Sequence, residues 1–262
     1  MSKTTKRRPL LAANWKMYKT VYQSLAFGKA LIHRPEIGDI LAGMDVVMCP
    51  TLPALFALKQ QLSGTAVKVG AQTLDLGQEG ANTGAVSAFL IREAGADYVI
   101  LGHSERRTLY GEDDALVSQK TVEAFKAHLH PIVCVGERFD ERRQGQTDAV
   151  IERQVSPIVQ AVQHFSDAPL VIAYEPLWAI GSGEVPTAFE ANRVASAIRS
   201  VVRRVAPHLD QSLRILYGGS VKRDTVAGFA QETELDGVLV GGSSLDVNHW
   251  WDLIRLWNEV ML

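Results

Sequence analysis

The stretch "LVIAYEPLWAIGSGEVPTAFEANRVASAIRSVVRRV" (Leu170–Val205) holds one complete unit of the chain's architecture. It opens on an apolar run, Leu170–Tyr174, passes through Glu175 and a glycine-bearing loop, and ends in Ala188–Val205, whose apolar residues recur near every 3.6 positions. A short run without polar alternation predicts a parallel strand buried on both faces, and the 3.6 period predicts a helix. The same pairing repeats along the chain. Strands are predicted at Leu10–Asn14, Asp45–Met48, Val67–Ala71, Tyr98–Gly102, Ile132–Val135, Arg214–Tyr217 and Gly237–Val240, with helical segments such as Ala115–His128 between them. Eight strand–helix units without a linker in 262 residues predict one α/β domain over residues 1–262, a closed (β/α)8 barrel. An open doubly wound sheet would carry a glycine-rich dinucleotide turn after its first strand, and this chain has none.

Composition narrows the function classes. With 27 basic and 29 acidic residues the chain has no overall field for nucleic acid or an anionic membrane. No apolar run approaches the length that crosses a bilayer. The basic start with Arg7 and Arg8 precedes an apolar run too short for a secretion signal, so residues 1–8 are expected to form a flexible basic arm on a cytoplasmic protein. Cys49 and Cys134 sit in apolar strand contexts without metal-ligand spacing and read as buried free thiols in a reducing compartment.

In such a barrel the chemistry gathers where strands end. The first strand ends in "ANWK", the fourth in "GHSERR", the sixth in "YEPLWAIGSG", the seventh in "YGGS" and the eighth in "VGGSS". An amide, a lysine, a histidine, a glutamate and two glycine turns form an inventory for acid–base work on a small phosphorylated carbonyl compound. Taken singly, each has a plainer reading. A glutamate at a strand end is commonly an exposed loop residue, a lone lysine a solvated charge, and a glycine a tight turn. Position lifts them above that. "GHSE" opens a helix, with Ser104 and Glu105 in its first turn, and a helix N-terminus disfavours an imidazolium, so His103 is expected to stay neutral and donate a hydrogen bond. Glycine turns after the last two strands offer bare N–H groups to a phosphate.

The segments "ANWKM", "GHSERR", "AYEPLWAIGSG", "YGGSV" and "DGVLVGGSSL" resemble, in order, the signature segments of the triosephosphate isomerase family, from Asn14 to Leu245. The resemblance implies a TIM barrel that interconverts dihydroxyacetone phosphate and glyceraldehyde 3-phosphate without metal or organic cofactor. It implies Glu175 as the base, His103 as the electrophile at the substrate oxygens, Lys16 as the stabiliser of developing negative charge and Asn14 as an orienting group. Glu105 matches an acidic residue that hydrogen-bonds beside Lys16. Gly181, Ser220, Gly241 and Gly242 match phosphate-binding positions. The segment from Pro176 through Trp178, Ile180 and Gly181 matches a lid that closes over substrate, with Trp178 as its expected anchor, although packing alone also explains an aromatic there. Loop Gln78–Val86 with Thr83, together with Met17, matches the contact between subunits of a homodimer.

Two departures stand out. Glu184 replaces the lysine usual in the family after the lid glycine, and Pro186 replaces a residue whose backbone N–H, by the resemblance, donates to the hydroxyl of the tyrosine matching Tyr217. Proline has no N–H, so this chain is expected to lack that latch. After "GGSSL", "DVNHWWDLI" stands for the usual Lys-Pro segment, and Trp250, Trp251 and Trp257 are expected to pack on the barrel. Alternative readings are an isomerase of a four-carbon ketose phosphate, a Schiff-base aldolase using Lys16, and a non-catalytic barrel.

Overall fold

The computed structural model describes residues 7–165, 170–179 and 186–262. Its strands are β1 (Leu10–Asn14), β2 (Asp45–Cys49), β3 (Lys68–Ala71), β4 (Tyr98–Leu101), β5 (His130–Val135), β6 (Val171–Tyr174), β7 (Arg214–Tyr217) and β8 (Gly237–Val240). Each pairs in parallel with the next and β8 returns to β1, closing an eight-stranded barrel. The helices are α1 (Val21–Ile32), α2 (Ile37–Gly43), α3 (Leu52–Gln61), α4 (Ala88–Glu93), α5 (Ser104–Tyr110) and α6 (Asp114–Lys126). They continue with α7 (Phe139–Arg143), α8 (Thr147–Val162), α9 (Ala188–Val205), α10 (Val226–Gln231) and α11 (Val247–Met261). The predicted (β/α)8 architecture is the observed one.

The unbroken apolar strands divide their residues between two cores. Leu10 and Ala12, Tyr98 and Ile100, and Val171 and Ala173 belong to the cluster inside the barrel, with Cys49, Ile132, Cys134, Leu216 and Leu239. Their alternates Leu11, Ala13, Val99, Leu101, Ile172 and Tyr174 pack in the layer beneath the helices. Alternation therefore exists in space but not in polarity, because both faces are dry. It also fixes the site: the next inward position after Val171 and Ala173 is 175, and after Leu10 and Ala12 it is 14. The carboxylate and the amide emerge into the barrel mouth on this register.

The strand starts close the opposite end. Arg214 donates to Asp45 Oδ2 at 2.6 Å and to the Tyr98 hydroxyl at 3.0 Å, while Arg8 donates to Asp45 Oδ1 at 2.7 Å. Burial works to raise the Asp45 pKa, but the two guanidiniums prevail and hold it below the ordinary carboxylate value. Arg7 pairs with Asp236 at 2.7 Å. The last two arginines of the expected arm thus make ion pairs on the barrel floor, and residues 1–6 lie outside the described residues. β5 begins at His130, two residues before its expected start, because His130 and Pro131 pair with Tyr98 and Val99 despite being poor strand formers. At the C-terminal end Asp246 caps α11, accepting from the N–H groups of Asn248 and His249. Trp250 and Trp257 are fully buried and Trp251 half-buried, the packing expected of them.

Candidate active site

Glu175 follows the last residue of β6 and is only 2% exposed. Its backbone N–H donates to Val135 O at 2.8 Å, continuing the strand register by one residue. Two glycines make room for it. A Cβ on Gly136 would stand 1.8 Å from the Glu175 carbonyl oxygen, and one on Gly218 would stand 2.9 Å from Glu175 Cγ. Neither glycine has a positive φ, so closeness and not backbone freedom demands them.

β4 ends one residue before Gly102, whose φ of 62° turns the chain out of the strand and points His103 across the mouth. The ring caps α5: Nδ1 accepts from the Glu105 N–H at 3.2 Å, while Nε2 lies 3.0 Å from Glu175 Oε1. Ser104 N–H donates to Glu175 Oε2 at 2.9 Å, so the carboxylate rests against the same helix start. Burial alone would raise the pKa of Glu175. Contact with His103, joined by the Ser104 N–H and the Cys134 thiol, outweighs that and holds the carboxyl below its ordinary value. Burial of His103 opposes an imidazolium, but the facing Glu175 carboxylate prevails and raises this ring from its ordinary value. The cap bond works the other way, because Nδ1 must keep its lone pair to accept from Glu105. The expectation of a neutral ring is therefore supported by the helix and opposed by the resting contact with Glu175.

Lys16 adopts φ 50°, a left-handed conformation costing roughly 1–2 kcal/mol for a side chain of this kind. Both of its peptide groups are held. Asn14 Oδ1 accepts from Lys16 N–H at 3.0 Å, and Gln72 Nε2 donates to Lys16 O at 2.8 Å and to Cys49 O at 2.9 Å. The clamped residue sends Nζ to Glu105 Oε1 at 2.7 Å, across the top of Gly241. Glu105 Oε2 in turn lies 3.6 Å from His103 Nδ1, so an unbroken chain of contacts runs from Lys16 through Glu105 and His103 to Glu175. Gly242 opens a short turn, Gly242–Ser244, and has free space where a side chain would be. Ser243 Oγ donates to Val221 O at 2.7 Å and Trp15 Nε1 to Ser244 O at 3.1 Å, which ties the turns after β7, β8 and β1 into one rim. Ser220 stands exposed on this rim.

Pro176 is buried and leads into a short turn, Leu177–Ala179. Trp178 Nε1 donates to Glu137 Oε1 at 3.0 Å, an oxygen that also receives the Tyr174 hydroxyl at 3.1 Å. Burial lifts Glu137 above the ordinary carboxylate range despite these donors. Arg142 lies over the Trp178 ring at 4.9 Å and pairs with Glu190 at 3.0 Å. Ile180, Gly181 and Glu184 lie outside the described residues. Pro186 is buried, and the Tyr217 hydroxyl is buried with no hydrogen-bond partner among the described residues.

Of the residues singled out in the sequence, the fold brings Asn14, Lys16, His103, Ser104, Glu105, Glu175 and Gly241 together. Not singled out were Gln72, which bonds the Lys16 backbone, Gly136 and Gly218, which crowd Glu175, Gln154, which bonds the Gly136 backbone, and Glu137, whose carboxylate receives the Trp178 and Tyr174 donors. Only Gly218, within "YGGS", carried a local signal. Among the described residues no group of three or more His, Cys, Asp or Glu side chains is arranged to hold a metal ion.

A (β/α)8 barrel whose strand ends present a buried carboxylate, a capped histidine and a clamped lysine defines an acid–base enzyme of the aldose–ketose isomerase kind. The sequence profile described as triosephosphate isomerase matches residues 9–257. A triosephosphate isomerase of Carboxydothermus hydrogenoformans is 42% identical over 250 residues, covering 95% of this chain and 98% of that protein. The one of Alcanivorax borkumensis is 43% identical over 243 residues, covering 91% and 94%, and that of Dictyoglomus thermophilum 38% over 250, covering 95% and 99%. The chain belongs to the triosephosphate isomerase family.

Proposed function

We propose that this chain interconverts dihydroxyacetone phosphate and D-glyceraldehyde 3-phosphate, with Glu175 as the base. The observation that carries the reading is the buried Glu175 carboxylate at 3.0 Å from His103 Nε2, both at strand ends facing one mouth. Glu175 removes a proton from the carbon beside the carbonyl and becomes a carboxylic acid. The electron pair moves into the carbon–carbon bond, and the carbonyl oxygen becomes an enediolate oxygen. His103 Nε2–H and the Lys16 ammonium stabilise that oxygen, an arrangement in which one donor is worth roughly 10²–10³ in rate. Glu175 returns the proton to the neighbouring carbon. The hydroxyl proton of the enediolate passes from one oxygen to the other by way of His103 Nε2, so that the former hydroxyl becomes the carbonyl and the former carbonyl a hydroxyl. Only protons are relocated, so the cycle needs no cofactor.

Substrate inserted between Glu175 and His103 ends the contact that raises the histidine. Burial and the Glu105 cap then favour the neutral ring, which donates without surrendering its proton prematurely. Asn14 orients substrate and holds the Lys16 backbone, and Glu105 and Ser104 fix the groups they touch. The N–H groups of Gly241, Gly242 and Gly181, with the Ser220 hydroxyl, bind the phosphate at the rim. Pro176, Trp178, Ile180 and Gly181 belong to a closing lid that keeps water from the enediolate, whose phosphate would otherwise be eliminated. The alternatives find less support: Lys16 Nζ is tied to Glu105, which suits a fixed positive charge better than the nucleophile of a Schiff-base aldolase.

The same reading includes a homodimer in the cytoplasm. Met17 is 92% exposed, Thr83 and most of loop Gln78–Val86 are exposed, and Tyr18, Leu109 and Tyr110 also face solvent, an apolar excess that a second copy would cover. No helix among the described residues is long and apolar enough to cross a membrane.

The test is a coupled assay on glyceraldehyde 3-phosphate with wild type and Glu175→Asp. Withdrawing the carboxylate by about one methylene should lower kcat roughly 10²-fold with the fold intact. A variant as active as wild type would remove Glu175 from the role of base.

A further inference from the structure

α8 presents a buried stripe of Val150, Ile151, Val155, Ile158, Val159 and Val162 to the barrel. Gln154 lies within that stripe and is 6% exposed, at a position where the helical pattern asks for an apolar residue. A buried amide is tolerated only when its groups are bonded, and the two groups of this one go to the N–H and the C=O of one residue, in the two peptide units that flank its Cα. Gln154 Oε1 accepts from Gly136 N–H at 2.8 Å, and Nε2 donates to Gly136 O at 3.4 Å. Gly136 is the first residue after β5, where the ladder has stopped supplying partners. It is also the residue whose Cα faces the Glu175 carbonyl closely enough to exclude any Cβ. Glu175 N–H is bonded to the preceding residue, Val135.

We infer that Gln154 is a positioning residue for the reaction: it pins the Gly136 backbone, and Gly136 fixes the height at which the Glu175 main chain leaves the barrel. This rests on the reading of Glu175 as the base. A cavity of about 460 Å³, lined by Gln154 and Gly136 together with Arg107, Glu112, Arg138 and Leu177 among others, reaches the surface beside this contact. With the amide removed, water from that cavity takes its place as partner to Gly136, and a mobile partner leaves the glycine free to shift. A displacement of the base by about 1 Å lowers the rate of proton transfer roughly 10²-fold, while the rim that binds the phosphate is untouched.

A structural bond and a positioning bond differ in what they move, so the test reads kcat against KM and against pH. Gln154→Met keeps length and burial and deletes both hydrogen bonds. It should lower kcat about 10- to 100-fold, leave KM within about twofold and retain the wild-type circular dichroism. Gln154→Glu is a switchable version. Protonated, its carboxyl keeps one acceptor and one donor, as the amide does. Ionised, it has no donor and faces Gly136 O with a negative charge. Its kcat relative to wild type should therefore approach unity at acid pH and fall as pH rises, the ratio cancelling titration of the substrate phosphate. A kcat for Gln154→Met within twofold of wild type, or a ratio for Gln154→Glu that does not change between pH 5.5 and 9 (a window of about these limits, spanning the range of raised carboxyl values), overturns the inference. If Gln154→Met does not fold, the pH profile of Gln154→Glu decides alone. Glu175→Gln is measured in parallel. Full activity there removes the base reading and this inference with it, whereas an inactive Glu175→Gln beside wild-type-like Gln154 variants removes the inference only.

Discussion

Tyr217→Phe separates two roles for the last residue of β7. The ring is fully buried and stacks on Phe229 at 4.2 Å with an interplanar angle of 16°, contacts that phenylalanine keeps. The hydroxyl is different. It has no partner among the described residues, burial pushes its pKa upward, and a Cβ on Gly219 would stand 2.2 Å from it. The backbone at Pro186 has no N–H to offer it. A buried hydroxyl without a partner costs about 1–3 kcal/mol, and deleting one oxygen leaves a void smaller than a methyl group, so the variant should be more stable by about 1–2 kcal/mol. For a chain of this size that is a rise in Tm of roughly 2–8 °C, read by circular dichroism. In the coupled assay kcat should stay within about threefold of wild type, since a lost latch bond would be worth about 0.5–1.5 kcal/mol, or up to roughly tenfold in rate. A fall in Tm shows that the hydroxyl has a partner in the folded chain. A loss in kcat of tenfold or more at unchanged Tm shows that it bonds in the closed state, and the reasoning from Pro186 fails.

Two further outcomes follow from features away from the reacting groups. His130 sits on the barrel floor with a pKa lowered by burial and then by Arg214, against the raising pull of Asp97 and Asp45. The unfolded chain takes up its proton at about pH 6.5, before the folded chain does, so the stability linked to this ring is complete above that pH and is lost as pH falls through the lowered folded value. His130→Phe keeps the ring packed on Tyr98, at 5.1 Å in the parent, and should show a flatter urea midpoint between about pH 7 and 5; an unchanged slope means the ring does not carry that dependence. For assembly, velocity sedimentation should give twice the 28.7 kDa chain mass, and Met17→Arg should shift the population toward single chains. A monomeric wild type at micromolar concentration ends the dimer reading.

The barrel was legible because eight apolar runs of nearly equal length lack polar alternation, as strands dry on both sides do, and because no glycine-rich turn follows the first of them, as a doubly wound sheet would have. β5 was the exception at its start, since "HP" carries no strand propensity and is held there by its partners on β4. The chemical groups were legible because they lie next to those runs. What escaped was everything that places them. The left-handed turn at Lys16 follows from Asn14, two residues away, and from Gln72 on the far side of β3, which no local pattern connects. Gln154 reads as a surface amide until α8 is laid against the barrel. Glu137 reads as one of many loop acids until Tyr174 and Trp178 converge on it.

The glycines around Glu175 also decide where this site can change. Gly136 and Gly218 touch the main chain and the side chain of Glu175, and neither has space for a methyl group. Gly219 is blocked by the Tyr217 ring, and Gly241 lies against the end of the Lys16 side chain. Gly242 alone among these rim positions faces open space. Added side chains are thus shut out beside Glu175 and admitted at Gly242. A lineage descended from this chain can reshape that part of the rim while the setting of the buried carboxylate stays inherited.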